Sequence, residues 1–121
     1  MKTQYPLKHH INFSGLLEFT GGNIEFAKNL VTAFLSEMEI FMSKIVDDPS
    51  DEAFVSFRKT HHSISPSLQM LGMNEISKAI EAYKTAYLNK SETFYEVAQT
   101  LSRLVQESVD EAKQWITAEP K

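Results

Sequence analysis

In four successive segments, apolar residues recur at alternating intervals of three and four, and nowhere over a useful length do they alternate with period two. That pattern gives helices one oily face and leaves no strand to pair, so the chain is restricted to an all-α fold. The clearest case is Phe54, Phe57, His61, Ile64, Leu68 and Leu71, a single stripe down one helix. His61 lies on the stripe and is expected to face the core, satisfied there by a hydrogen bond. His62 lies about 100° further round the cylinder. It shares its side with Val55, Arg58, Lys59, Pro66 and Gln69, and so faces out.

In chain order, residues 1–12 read as an irregular lead-in broken at Pro6, with His9 and His10 as surface histidines. Ser14 is placed to cap a short helix whose Leu16, Leu17 and Phe19 lid one end of the core, stopped by Gly21-Gly22. Asn23 caps a second helix that buries Ala27, Leu30, Val31, Phe34, Met38, Phe41 and Ile45 and ends at Asp47-Asp48-Pro49. Ser50 caps the third, with Asp51 and Glu52 at the positive end of its dipole and Gly72 closing it. Asn74 caps a fourth, carrying Ile76, Ala79, Ile80, Tyr83 and Tyr87 on one side. After the break at Asn89-Lys90, Ser91 opens a fifth. Its stripe runs Phe94, Val97, Ala98, Leu101, Leu104, Val105, Val109, Ala112, Trp115 and Ile116.

Long amphipathic helices joined by short turns pack antiparallel, because a short connection cannot carry the chain back to a parallel start. The expected architecture is an up-down antiparallel four-helix bundle with a short extra N-terminal helix. It forms one domain over residues 13–118, which suits a chain of 121 residues.

Composition narrows the function classes. A net charge of −4 without a dense basic patch argues against nucleic acid. The absence of cysteine excludes disulfide frameworks and thiol catalysis. No apolar run reaches membrane-spanning length and no signal-peptide core opens the chain, so a cytoplasmic protein with no membrane partner is expected. No histidine follows a glutamate by three residues, as the ligands of a di-metal bundle require, and Gly21-Gly22 lacks the Lys-Ser/Thr of a phosphate-binding loop.

The segment His61-His62-Ser63-Ile64-Ser65-Pro66-Ser67-Leu68-Gln69-Met70-Leu71-Gly72 resembles the signature of histidine-containing phosphotransfer (HPt) domains. Those domains read Ala-His-x-Leu-Lys-Gly-Ser/Ala-x-x-x-Leu-Gly on a helix of the same kind. Residues 13–35, with Gly21-Gly22-Asn23 ahead of a long amphipathic helix, are similar to the family's opening helices.

The resemblance implies a phosphorelay carrier. His62 would accept a phosphoryl group from an aspartate of a receiver domain, in a hybrid kinase or a response regulator, and pass it to another. It would do so as a monomer with no cofactor of its own, magnesium being supplied by the receiver. Ser65, Gln69, Arg58 and Lys59 would surround the phosphoryl group. Val55, Pro66 and Met70 would dock the receiver, with the second helix alongside.

Two positions depart from the pattern. The family's lysine three residues after the histidine is Ser65, which donates one hydrogen bond and brings no charge. Its glycine one residue later is Pro66, which lacks the N–H that would bond to the His62 carbonyl and disfavours a helix interior by about 3 kcal/mol. A kink between His62 and Pro66 is expected. The alternative reading is a degenerate HPt-like module that docks receivers or a helical partner without being phosphorylated.

Overall fold

Three of the five helices begin where a side chain accepts from one of the first free N–H groups. A computed structural model of the chain describes residues 10–47 and 50–117. Helix α1 (Phe13–Phe19) is capped by Asn12, whose side chain accepts from the Gly15 N–H at 2.9 Å. Ser14 therefore sits inside the first turn instead of capping it. Asn12 also donates its own N–H to the Leu71 carbonyl at 2.8 Å, which ties the start of α1 to the end of the third helix. Leu16 is buried and Leu17 half-buried. Phe19, expected in the lid, is 66% exposed, because it is the last helical residue before the chain turns away through Gly21 and Gly22 at positive φ.

Helix α2 (Ile24–Ser43) takes Asn23 as its cap, through a 2.9 Å bond from the Phe26 N–H. It stops at Ser43, earlier than the acidic pair and proline that were expected to end it. The reason is tertiary: the Tyr83 hydroxyl donates to the Val46 carbonyl at 3.0 Å and accepts from the Val46 N–H at 3.3 Å, holding that segment outside the helix.

Helix α3 (Asp51–Met70) has Ser50 as its cap and runs through Pro66 as unbroken α-helix. Gly72, at φ +64°, lets the Met73 N–H turn back to the Leu68 carbonyl at 3.0 Å, which closes α3. Helix α4 (Asn74–Leu88) begins with Asn74 itself; buried Met73 holds the cap position and offers no side-chain bond. Helix α5 (Phe94–Thr117) starts three residues after Ser91, whose hydroxyl instead accepts from the Thr93 N–H at 3.1 Å in the preceding turn. Among the described residues there is no strand, and no helix is long and apolar enough to cross a membrane.

The five helices pack as a helical bundle. Helix α5 lies against α2 and α4, α2 lies against α3, and α1 rests on α2. Fully buried Phe34, Phe41, Phe57 and Tyr83 occupy the centre, with ring centroids of Phe57 and Tyr83 4.4 Å apart. Burying each such ring contributes about 2–3 kcal/mol. Trp115 stacks on Phe13 at 4.7 Å and fastens the short helix to the end of α5. Helix α3 approaches α4 less closely than it approaches α2, and a groove opens between them.

Candidate functional site

The spacing of Val55, Arg58, Lys59, His62 and Ser65 puts them on one side of α3, where they form a wall of that groove. The cavity measures about 540 Å³ and is completed by His61 and by Lys84 of α4. His62 is exposed. Two α3 cations, Arg58 and Lys59, line the groove with it, and a third, Lys84, lines it from the neighbouring helix. Three of the chain's 12 basic residues thus line one groove of a protein whose net charge is −4, and among the described residues no carboxylate lines it. The local field therefore opposes the global one.

Lys84 is held at the edge by Glu81, with its Nζ 3.3 Å from Oε2. The Glu81 carboxylate is largely exposed, so water screens the pair and its hold on the ammonium is weak.

His61 corrects an expectation. Every other member of its stripe is buried, but His61 is half-buried and lines the groove next to His62. The stripe points it toward the gap between α3 and α4, where the two helices stand too far apart to enclose a ring. Burial holds its pKa below the usual 6.5; the nearby Lys84 and His62 charges push the same way, and Glu81 opposes them.

The other expected site residues divide. Ser65 is half-buried in the groove wall and Val55 is 47% exposed at its edge. Gln69 and Pro66 are exposed but lie outside the groove lining. Met70 is half-buried and packs against the core, so it offers a docking partner less than its expected role requires. Lys84 was not expected at all. It follows the core residue Tyr83 in α4, and no local pattern tells which helix its ammonium will meet.

The largest reversal concerns His10. Expected on the surface, its side chain is only 2% exposed. Its Nε2 lies 2.9 Å from Glu107 Oε1, and since a carboxylate only accepts, Nε2 donates. Its backbone N–H donates to buried Glu111 at 2.7 Å, and Nδ1 lies 3.3 Å from Glu75 in a geometry that makes no hydrogen bond. Arg103 joins Glu107 at 3.1 Å. Ile11 enters the core beside it, so packed structure is already present at His10. His9 lies outside the described residues. Among the described residues, no group of three or more histidine or acidic side chains is arranged to hold a metal ion.

The site is thus an open, cation-lined groove with an exposed imidazole, and a second, partly desolvated one, in its wall. Such an arrangement can hold an anion and present a nucleophilic ring nitrogen to it. No protein-family model, curated protein or solved structure matches the chain.

Proposed function

We propose that the protein is a histidine phosphotransfer protein of a two-component phosphorelay, cytoplasmic and built as an up-down antiparallel four-helix bundle. The helix pairings and the short connections at Gly72 and Asn89-Lys90 support that topology. The observation that carries the function is the exposed His62 on a continuous helix, in a groove whose charged walls are all cationic.

A ring nitrogen of His62 attacks the phosphorus of a receiver's aspartyl phosphate. The N–P bond forms as the P–O bond to aspartate breaks, and the electron pair leaves with the carboxylate. Passing the group to a second receiver reverses these bonds. Most of the transition-state charge is balanced by the receiver's magnesium and its own side chains, so this chain supplies the nucleophile, a rigid mount and a surface to dock on. Exposed Val55 and Pro66 beside the groove supply the apolar part of that surface.

A second reading, a receiver-docking module that carries no phosphate, is favoured by Ser65 and Pro66, which depart from the HPt pattern. One experiment separates the two. Incubated with a phosphorylated receiver from the same organism, the wild-type protein acquires acid-labile, base-stable label and His62→Gln does not. Binding to receivers without label on wild type supports the docking module. Label that survives His62→Gln and is lost in His61→Gln moves the acceptor to the neighbouring ring.

A further inference from the structure

We propose that Lys84 of α4 is the residue that balances phosphoryl charge at His62, a task for which α3 offers only Ser65 at the adjoining position. The assignment rests on reading His62 as the phosphoryl acceptor. It is carried by a juxtaposition: Lys84 and Ser65 line the same groove as both histidines, although Lys84 belongs to a different helix.

Within α3 the nearest cations, Arg58 and Lys59, stand one turn before His62. Helical side chains lean toward the N-terminus, so these two lean away from the ring. A residue one turn after His62 would lean toward it, and that place is taken by Ser65. Among the described residues that line the groove, the one cation outside α3 is Lys84, which comes from across the groove on α4.

Lys84 is suited to the move. Its side chain is 24% exposed, with its stem covered and its ammonium paired to Glu81, whose side chain is 66% exposed. A flexible lysine on a screened ion pair can exchange that carboxylate for a phosphoryl oxygen when one is present. Glu81 then acts as the resting partner of Lys84. The ammonium is held near the groove while His62 is bare and is released when a dianion competes for it. Ser65 contributes one hydroxyl donor from the α3 side.

Phosphoramidate tests the assignment without a receiver. A ring nitrogen of His62 attacks its phosphorus, the P–N bond breaks and ammonia leaves, so the charge-balancing group is read from this chain alone. The rate of phosphohistidine formation at His62 is followed by ³¹P NMR and by mass spectrometry of the intact protein. Lys84→Gln is expected to slow it about tenfold. That is less than the roughly hundredfold loss on removing a donor from an enclosed oxyanion site, because this groove is open to water. Lys84→Arg restores the rate. So does the transplanted charge in Ser65→Lys/Lys84→Gln, which a merely structural role for Lys84 could not explain.

The proposal is overturned if Lys84→Gln reacts at the wild-type rate, if the transplanted lysine fails to rescue, or if phosphoramidate does not label His62 at all. Lys84-dependent labelling of a protein that accepts nothing from any receiver keeps the assignment and overturns the phosphorelay reading.

Discussion

Two histidines occupy opposite electrostatic settings in this bundle. His62 stands in water on α3 among Arg58, Lys59 and Lys84. His10 is enclosed, bonded to Glu107, and has the carboxylates of Glu75 and Glu111 against its ring and backbone. The first setting attracts an anion and leaves the ring free to react. The second already contains its anions and leaves the ring no access. One residue type thus serves as a candidate nucleophile in one place and as a structural clasp in the other, and the surrounding charge and exposure decide which.

The sharpest way to break this contrast is to remove each ring. His62→Gln is expected to abolish phosphoryl acceptance while shifting unfolding free energy by no more than about 0.5 kcal/mol, as for an exposed site without partners. A large loss of stability on chemical denaturation would show that His62 is structural after all. His10→Ala should do the reverse. It removes a part-buried charge-assisted hydrogen bond and leaves a void where the enclosed ring stood, destabilising the fold by about 2 kcal/mol, with phosphorylation of His62 by phosphoramidate unaffected. A His10→Ala protein as stable as wild type would reduce the clasp to a bystander.

The carboxylate side of the clasp carries a pH signature. The hydrogen bond from His10 holds the Glu107 pKa below its ordinary 4.5; burial opposes it, and Arg103 adds to the lowering. A carboxyl whose folded pKa is depressed stabilises the fold above its unfolded value, and that contribution is lost as pH falls through the folded value. Acid unfolding of wild type and Glu107→Gln should therefore differ most above pH 4.5 and converge below it. A constant gap across that range would mean that the ionised carboxylate does not matter.

The smallest effect is expected at His61, and it tests the groove. Burial is the main cause of its lowered pKa and Lys84 the second. In Lys84→Gln, the His61 ring resonances should titrate closer to 6.5 than in wild type, yet remain below it. An unmoved titration would place the ammonium of Lys84 away from the groove in solution.

Much of the fold was legible because helices announce themselves locally. The caps at Asn23 and Ser50, the glycine stop at Gly72 and the buried stripes of α2 to α5 follow from residue type and a 3.6-residue period. Where the reading missed, a contact from elsewhere in the chain had intervened. Tyr83 captures Val46 and keeps α2 from extending. Buried Met73 takes the cap position assigned to Asn74. Ser108 and Glu111 interrupt the apolar stripe of α5 and are buried nonetheless, Ser108 by donating to the Leu104 carbonyl and Glu111 by accepting from His10.

The sequence by itself determined the helices and the outward direction of His62, because each residue turns a helix by a constant angle and neighbours on one face are known without any partner. Only the tertiary structure decided what surrounds that ring. The arrival of Lys84 in the same groove, the opening of His61 to it and the enclosure of His10 all depend on where one helix stands against another. That distance is set by the packing of side chains far apart in the chain, and no local period encodes it.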